Sequence, residues 1–481
     1  MKRFAILLVI SSVAAAFQGR APTEGPPLVL THATVIDTTG GPPQQDMTVI
    51  TAEGRVARVG KSGEVSVPPG AEIVDARGKF LIPGLWDMHV HLAQQAFENK
   101  WTRSVILPLL VANGITGVRD MGGNFQVIQS LRKEIAAHER LGPRIVAAGA
   151  AFDGPPSESS VDNLSIDTAA AGRQAVIAQK QRGVDFIKIL TLVPRAAYFA
   201  IAEEAKKENL PFAGHVPEAV SVIEASEAGQ KSMEHLTGVF LNCSSREQEL
   251  RSAVLDGVRK SVPFVLERIS NHLPPRGAVE SYDSGKCAQV FRVLAKNGTW
   301  QTPTLVSQQA FSIIARRRTL DDPAMKYVPG ELRESGEAVD FKKLQPRDVT
   351  DLAEYFVKST PFVAAEHRAG VPFLAGTDAP YPPQAGFTLH QELALLAKAG
   401  LTPLEALQAA TLNPAKFLGT TGSMGTVGAG KVADLVLLDA NPLEDITNTT
   451  KIDAVIVAGR YLSRADLDAM LARVAAIAKL Q

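Results

Sequence analysis

Residues 80–92, FLIPGLWDMHVHL, constrain the fold of this chain more than any other stretch. An apolar run ends in a Pro-Gly turn, and Asp87, His89 and His91 then follow at alternate positions. Side chains two residues apart in a strand point to the same face. We therefore predict a strand from which two imidazoles project together, and imidazole is the commonest protein ligand for zinc. A His-x-His pair alone is a weak indication of a metal site, so other parts of the chain have to support it.

After this strand, β-branched runs alternate with segments of helical apolar spacing, which is the pattern of a parallel sheet covered by helices. Eight such units are found, with the seventh strand predicted at 300–306 and the eighth at 373–375. The fold class is therefore predicted to be α/β, a closed (β/α)8 TIM barrel with its chemistry at the C-terminal ends of the strands. Further strands end at or near four possible ligands: Lys188, His215, His235 and Asp378.

Some parts of the barrel sequence are less regular. Residues 101–113 have helical spacing, and 150–167 are predicted to form a long loop. The interval between the predicted sixth and eighth strands is too long for two βα units, so 242–282 and 308–348 are predicted to be insertions. Long loops after barrel strands lie over the mouth of the barrel. We therefore expect these two insertions to cover the substrate site.

Short strands also lie on both sides of the barrel in the sequence. They are rich in β-branched residues and separated by Gly- and Pro-rich turns, so they indicate an antiparallel β module. We predict a composite β-sandwich formed by 27–79 and 421–464, with the barrel, 80–420, inserted into it and a terminal helix in 465–481. Its strands are predicted at 28–35, 47–51, 56–59, 72–75, 425–427, 433–439 and 452–457.

The charge balance argues against one broad class of partner. Lys plus Arg and Asp plus Glu number 50 each, so the formal net charge is zero, and no basic block is interleaved with aromatic residues. A nucleic-acid partner is therefore not expected.

The two cysteines, Cys243 and Cys287, are too few for a cysteine-based metal site. They can pair in an oxidising compartment, but the sequence leaves their pairing open.

The first residues have the pattern of a secretory signal peptide. A basic start, Lys2 and Arg3, precedes the apolar run 4–16, which ends in three alanines. Such a run is typical of a cleaved signal and is short for a membrane span. We predict that 1–16 are removed, at a cleavage site that the sequence leaves open, and that the protein is periplasmic or secreted without a stable membrane span. An uncleaved anchor is the alternative.

The histidines and a carboxylate suit two divalent ions that share a hydroxide. Such ions lower the pKa of bound water, polarise a carbonyl and hold both reacting partners. Lys188 does not fit this set, because a protonated ammonium cannot ligate a metal. From the residues alone, Lys188 is interpreted as a structural or substrate-binding cation. The remaining ligands are His89, His91, His215, His235 and Asp378.

Taken in order, these motifs resemble the amidohydrolase superfamily, metal-dependent hydrolases built on a (β/α)8 barrel. GLWDMHVHL resembles the first-strand His-x-His motif, and VDFIKIL the fourth-strand segment whose lysine becomes a carbamate that bridges two metals. FAGHVPE and SMEHLTG resemble the histidine motifs of strands five and six, and LAGTDAP the eighth-strand aspartate motif. GKVADLVLLDANPLEDI and VIVAGR resemble the C-terminal sandwich segment. The resemblance covers essentially the whole chain after the predicted signal peptide.

The resemblance implies a role for each matching residue. Lys188, as N6-carboxylysine, would bridge two divalent ions together with a hydroxide. Asp378 would take the proton of that hydroxide and pass it to the leaving nitrogen, so Asp378 and Lys188 are the expected catalytic residues. Zinc is the default metal, although manganese or cobalt also suits such ligands. The implied ligands are His89, His91 and Asp378 for the more buried ion, and His215 and His235 for the other.

The implied function is hydrolysis of an amide or peptide C–N bond in a small substrate, such as a dipeptide, an N-acyl amino acid or an ochratoxin-like amide. The ligand order and the segments GVRDMGG and GPPS resemble binuclear prolidase-like dipeptidases and ochratoxinase-type amidases. The alternatives are a lactonase or phosphotriesterase-like hydrolase, a mononuclear imidazolonepropionase-like cyclic-amide hydrolase, and a barrel that only binds ligands. Imidazolonepropionases lack this lysine. The exact substrate and the oligomeric state, a homo-oligomer included, are left open.

Four residues are weaker candidates for contacts with the substrate. His390 follows the eighth strand, although packing is the commoner role of such a histidine. Arg119 ends the second strand and is expected either to hold a substrate carboxylate or to form an internal ion pair. His272 and Tyr282 lie on a predicted insertion over the barrel mouth.

Overall fold

The computed structural model describes residues 25–94, 101–270, 272–315, 322–337, 346–380 and 385–480. The predicted signal peptide lies outside these residues, as does part of the second predicted insertion.

The barrel is built from parallel strands in two hydrogen-bonded groups. One group has the order β6-β7-β8, and the other has the order β10-β9-β11-β12-β13-β14. The predicted (β/α)8 barrel is therefore confirmed, but the predicted long loop at 150–167 contains two short strands, β9 and β10. The strands of these two groups are β6 Leu85–Val90, β7 Ile115–Asp120, β8 Arg144–Ala147, β9 Ala151–Asp153, β10 Asn163–Ser165, β11 Ile187–Ile189, β12 Phe212–Gly214, β13 Ser232–Glu234 and β14 Trp300–Thr302.

The predicted eighth strand, 373–375, is not a regular strand. Its segment makes one isolated bridge to β14, at Phe373, and one to β6, at Ala379. Between them, Met88 N donates to Ala375 O at 2.9 Å, and Asp378 N donates to His89 O at 2.7 Å. The segment 373–379 therefore closes the barrel between β14 and β6 without a continuous ladder.

Helices cover the barrel and begin and end at ordinary capping residues. The Thr168 hydroxyl accepts from Ala171 N at the start of α3, and Gly183, with φ of +84°, ends that helix in the left-handed conformation. A π-helical turn, Thr102–Ile106, precedes α1, so the predicted helix at 101–113 is irregular in its first half. The helices are α1 Leu107–Ala112, α2 Phe125–Ala136, α3 Ala169–Arg182, α4 Arg195–Lys207, α5 Val222–Glu227, α6 Val239–Asn242, α7 Glu247–Arg259, α8 Pro263–Ser270, α9 Ser284–Asn297, α10 Leu305–Ala315, α11 Gly330–Glu337, α12 Pro346–Arg368, α13 Phe387–Lys398, α14 Pro403–Ala409, α15 Leu412–Leu418 and α16 Arg464–Lys479.

The N- and C-terminal segments form one composite sheet, as predicted. Its strand order is β17-β16-β15-β5-β1-β2-β3, with β4 also paired to β1. The two segments join where β15 pairs antiparallel with β5, from Leu435 opposite Pro83 to Leu438 opposite Phe80. A shared apolar core includes Leu30, Val35 and Leu435, all buried. The strands are β1 Leu28–Val35, β2 Gln44–Ala52, β3 Arg55–Lys61, β4 Glu72–Asp75, β5 Phe80–Pro83, β15 Leu435–Leu438, β16 Ile452–Val457 and β17 Arg460–Ser463.

The sheet differs from the prediction in three details. β4 and β5 pair with β1 in parallel, so the module is not purely antiparallel. The predicted strand at 425–427 is a bend, in which Gly425 has φ of +88°. Conversely, a further strand, β17, begins at Arg460 beyond the predicted strand at 452–457. Short β segments beside glycine-rich turns are the least distinct pattern in this part of the chain.

The first insertion is closed at its base by a disulfide. Cys243 and Cys287 are bonded, with Cα atoms 4.5 Å apart, and enclose a segment that contains α7 and α8. Arg268 of α8 forms ion pairs with Asp348 and Asp351 at the start of α12. The two insertions are therefore joined to each other over the barrel mouth. Among the described residues, no helix combines the length and apolarity needed to cross a membrane.

Candidate metal centre

The six predicted ligands converge at the C-terminal ends of the barrel strands. Each lies in or directly after a strand or in the closing segment, and together they line one cavity of about 440 Å³. The fold thus brings together residues that are up to 289 positions apart, from His89 to Asp378. The six are His89, His91, Lys188, His215, His235 and Asp378.

The potential ligand atoms fall into two groups. In one group, ring nitrogens of His89 and His91 and a carboxylate oxygen of Asp378 lie within 4.8 Å of one another. In the other, nitrogens of His215, His235 and His272 satisfy the same criterion. The groups are adjacent, because the ring centroids of His89 and His235 are 4.6 Å apart.

All four strand histidines use Nδ1 for a protein partner. Carboxylate and carbonyl oxygens only accept hydrogen bonds, so Nδ1 of His89 and of His91 carries the proton and donates it. In the neutral ring, Nε2 then carries no proton. This is the orientation in which an imidazole presents a lone pair to a metal. The partners are Glu234 Oε2 for His89 at 2.9 Å, Gly122 O for His91 at 3.3 Å, Thr191 Oγ1 for His215 at 2.8 Å and Thr304 Oγ1 for His235 at 2.7 Å.

The first group also shows that the residues fit a cation. Asp378 Oδ1 lies 3.3 Å from Nε2 of His89 and 3.2 Å from Nε2 of His91. Despite the short distance, His89 Nε2 is buried and makes no hydrogen bond within the described part of the chain. Two imidazole lone pairs facing one carboxylate oxygen need a shared proton or a cation between them. The donor set of nitrogens and oxygens is the one that zinc and similar divalent ions prefer.

A buried ion pair holds the first group from below. Glu234 accepts from His89 with one oxygen, and Arg119 Nη2 lies 2.9 Å from its Oε1 and 3.0 Å from its Oε2. All three side chains are fully buried. Burial alone would raise the pKa of Glu234, but Arg119 and His89 hold it at about 2. Glu234 is therefore ionised and fixes the orientation and tautomer of His89.

A second buried carboxylate connects the first strand to the closing segment. Asp87 Oδ1 accepts from His89 N at 3.2 Å and from Thr377 N at 3.0 Å, and its Oδ2 accepts from the Thr377 hydroxyl at 2.6 Å. Thr377 directly precedes Asp378, so these bonds set the position of Asp378 relative to His89. Burial raises the pKa of Asp87 to about 7.

Two glycines permit close approach of the chains that carry the ligands. A Cβ on Gly376 would lie 2.8 Å from the Cβ of His89. A Cβ on Gly214, which has φ of +129°, would lie 2.2 Å from Ile189 O and 2.9 Å from the Cδ of Lys188. Any side chain at these two positions would push the ligand strands apart.

Lys188 is buried at the centre of the barrel, with 1% of its surface exposed. Burial is the main reason that its pKa is lowered to about 8, with Arg119 acting in the same direction and Glu234 and Asp378 against it. Burial therefore shifts this amine toward its neutral form. A neutral amine is the form that can react with carbon dioxide.

Three ligand-bearing positions have left-handed backbone conformations. His235, His272 and Asp378 have φ of +59°, +55° and +64°, which is uncommon for residues other than glycine. Such conformations cost free energy and persist where the surrounding structure enforces them, often at functional sites.

A family profile matches most of the chain. The profile of the Amidohydrolase family covers residues 80–462, that is, the barrel together with much of the C-terminal part of the composite sheet. The chain belongs to the amidohydrolase family. It is a hydrolase that acts on carbon–nitrogen bonds.

Individual relatives span nearly all of this amidohydrolase. Ochratoxinase from Aspergillus niger is 23% identical over 482 aligned positions, which cover 89% of this chain and 84% of ochratoxinase. The crystal structure of A. niger ochratoxinase superimposes with a TM-score of 0.63 at 19% identity, covering 92% of this chain and 96% of that one. A Xaa-Pro dipeptidase with bound methionine gives a TM-score of 0.65 at 21% identity, covering 91% and 100%. At these identities the superpositions show the shared fold.

Three of the four substrate candidates lie outside the cavity lining of this amidohydrolase. His390 is buried in α13, where Nδ1 contacts Thr449 Oγ1 at 3.0 Å and Nε2 contacts Asn113 O at 3.1 Å. Arg119 forms the internal ion pair with Glu234, which was one of its two expected roles. Tyr282 is 43% exposed, with its ring 6.3 Å from that of Phe362. The fourth candidate, His272, lines the cavity.

The sequence interpretation missed the residues that hold the ligands in place. Glu234 is adjacent to His235 in SMEHLTG, and a charged residue inside a predicted barrel strand is a signal of an internal partner. Nothing in the local sequence indicates that the partners are Arg119 and His89. Thr191 and Thr304 follow strands as ordinary turn residues and carry no comparable signal.

Proposed function

We propose that the protein is an exported, binuclear, metal-dependent amidohydrolase that cleaves the amide or peptide bond of a small substrate. The substrate class is a dipeptide, an N-acyl amino acid or an ochratoxin-like amide. The observation that carries this proposal is that four histidines, each anchored through Nδ1, surround one cavity together with Asp378 and the buried Lys188.

Two ions fit the site better than one. The potential ligands form two separate groups, His89–His91–Asp378 and His215–His235–His272, each of which has enough donors for one ion. Bound at these groups, divalent ions would supply Lewis acidity and lower the pKa of water in the cavity. This arrangement favours a binuclear enzyme over a mononuclear imidazolonepropionase-like one.

Lys188 is proposed to become N6-carboxylysine. The ammonium first releases one proton to solvent, and the neutral amine then attacks carbon dioxide. A new N–C bond forms while one C–O π bond becomes a carboxylate lone pair, and the nitrogen releases a second proton to solvent, so an anionic carbamate replaces a cation. The change removes the only positive charge among the six ligands and adds two oxygen donors. Burial favours the reaction because it lowers the pKa of Lys188 to about 8.

Asp378 is proposed to move the proton during hydrolysis. Although burial opposes ionisation, the contact with His91 and the nearby imidazoles hold the pKa of Asp378 well below its usual range. Ser307 Oγ donates to its second oxygen at 3.3 Å. The carboxylate is thus ionised and oriented, and it can accept a proton from water and deliver it to the leaving nitrogen.

The cavity favours a small substrate with both polar and apolar parts. Gln94 and Asn163 offer amide groups at its wall, while Leu190 and Phe311 offer apolar surface. Ochratoxinase and the Xaa-Pro dipeptidase, by their names, act on substrates of this kind. The disulfide Cys243–Cys287 supports export, because such bonds persist in oxidising compartments. Sequencing the N-terminus of the secreted or periplasmic protein tests export, with a start just after the first 16 residues expected.

The deciding experiment is the metal content of the purified mature protein, measured by elemental analysis for the wild type and for Lys188→Ala. We expect about two divalent ions per chain in the wild type and at least one fewer in the variant. Lys231→Ala is the matched control, because Lys231 is a partly buried lysine just before β13, with its Nζ 4.6 Å from the Phe417 ring centroid. One ion in both wild type and Lys188→Ala would refute the binuclear site.

A substrate panel then tests the reaction. Dipeptides and N-acyl amino acids are compared with lactones and phosphotriesters on the zinc-loaded protein. We expect turnover of the amides and little of the others. Faster turnover of lactones or phosphotriesters would instead assign the alternative chemistry to the same site.

A further inference from the structure

A third imidazole lies against the second histidine group. The ring of His272 stacks on His235, with centroids 4.3 Å apart and planes inclined by 12°, and it meets His215 at 4.9 Å. One potential ligand nitrogen from each of the three rings lies within 4.8 Å of the other two. In addition, Nδ1 of His272 is buried and, among the residues that the structure describes, has no hydrogen-bond partner. An imidazole that only filled space would be expected to satisfy both of its ring nitrogens.

The backbone at His272 is held in an unfavourable conformation. Its φ of +55° places it in the left-handed region, which residues other than glycine uncommonly adopt. Because such strain persists only when the surroundings enforce it, the position of this ring is determined by the segment that carries it.

That segment is fixed at several points. The disulfide Cys243–Cys287 closes its base, and Arg268 Nη2 donates to Pro274 O at 2.7 Å, two residues after His272. Arg276 Nη2 pairs with Asp348 at 2.7 Å, which ties the segment to the other insertion. His272 is therefore delivered to the cavity by an anchored insertion and not by a barrel strand.

We infer that His272 is a third protein ligand of the ion held by His215 and His235. The inference rests on the proposed function, since it assumes that this group binds an ion. It differs in its consequence: the second ion would depend on the disulfide-closed insertion as well as on the barrel strands and Lys188.

The test replaces His272 by asparagine, the residue that best tolerates a left-handed conformation after glycine. Equilibrium dialysis of the full mature chain measures both zinc affinities, and cobalt absorption reports the ligands of each ion. We expect His272→Asn to lower the affinity for the second ion by roughly tenfold or more. Loss of a residue that only hydrogen-bonds to a ligand already lowers metal affinity by about 10–100-fold. The cobalt band of the second ion should change, while the first ion is retained. His272→Gly serves as the second variant, and circular dichroism checks its fold.

His367→Asn is the matched control, since His367 pairs with Glu405 at 3.1 Å outside the cavity lining. It should bind both ions as the wild type does. If His272→Asn keeps both affinities and the cobalt spectrum while KM alone rises, His272 contacts only the substrate and the inference is wrong. A wild type that binds no divalent ion overturns the proposed function together with the inference. Two ions bound equally by wild type and variant overturn the inference alone.

Discussion

The two histidine groups of this site are held in place by different kinds of interaction. His89 in the first group is oriented by a buried carboxylate, Glu234, which is itself held by a buried arginine, Arg119. His215 and His235 in the second group contact neutral threonine hydroxyls. The first group thus depends on a fully buried charge network, whereas the second depends on neutral bonds and on an insertion.

This difference indicates how each half responds to change. Removing one partner of a buried ion pair leaves an uncompensated charge and costs several kcal/mol. Removing a hydroxyl costs much less, because no charge is left behind. We therefore expect the first group to tolerate almost no substitution and the second to be the half that can be adjusted. Four predictions test this contrast, in order of decreasing effect.

The largest effect is expected for Asp378→Asn. The amide cannot accept the proton, and it weakens the first group, so kcat should fall by about 10³-fold or more. Steady-state kinetics on an amide substrate measures the loss. Ser307→Ala, which removes one hydrogen bond to the same carboxylate, is the control and should cost less than about tenfold. Near-normal activity of Asp378→Asn would assign proton transfer to another group.

Glu234→Gln should destabilise the metal-free protein by about 3–5 kcal/mol, because Arg119 would remain buried without its counter-ion. It should also lower the affinity for the first ion by about 10–100-fold, because His89 loses its orienting partner. Denaturant unfolding and metal dialysis give the two values. The double variant Arg119→Met/Glu234→Gln should recover much of the stability but not the metal affinity. Recovery of both would remove Glu234 from the positioning of His89.

Breaking the disulfide should affect the second half of the site selectively. The double variant Cys243→Ala/Cys287→Ala opens a link between residues 44 positions apart and should lower the free energy of unfolding by about 2–4 kcal/mol. Because this segment carries His272, the second ion should also bind more weakly, while the first is unchanged. Equal weakening of both ions would show that the insertion does not act on one group alone.

The smallest effect is expected for Thr304→Val. Valine has the same shape and removes only the hydroxyl that contacts His235 Nδ1 at 2.7 Å. We expect a loss of about 1 kcal/mol in stability and about tenfold in affinity for the second ion. Thr191→Val, the equivalent change at His215, provides a second measurement. If either variant is as damaging as Glu234→Gln, the contrast between the two halves is wrong.

The sequence predicts the ligands better than the residues that support them. His89 and His91 can be recognised because strand periodicity and the Pro-Gly turn are local, and Lys188 because its segment resembles a known motif. Glu234 and Arg119 are 115 positions apart, so their pairing depends on which strands face each other across the barrel interior. No local pattern contains that information.

The other features that the sequence leaves open or predicts wrongly have similar physical causes. The segment 373–379 closes the barrel through isolated bridges. From the sequence alone, its apolar run cannot be distinguished from that of a regular strand. The pairing of Cys243 with Cys287 depends on a Cα separation that only the fold determines. His272 is predicted only as a weak candidate for substrate contact, because the path of an insertion over the barrel mouth is not encoded by periodicity.

The most direct test of this account is a crystal structure of the zinc-loaded protein grown with bicarbonate, with anomalous data at the zinc edge. We predict two anomalous peaks, one at His89–His91–Asp378 and one at His215–His235–His272, with carboxylate density on Nζ of Lys188 between them. A single peak beside an unmodified Lys188 would contradict the binuclear account.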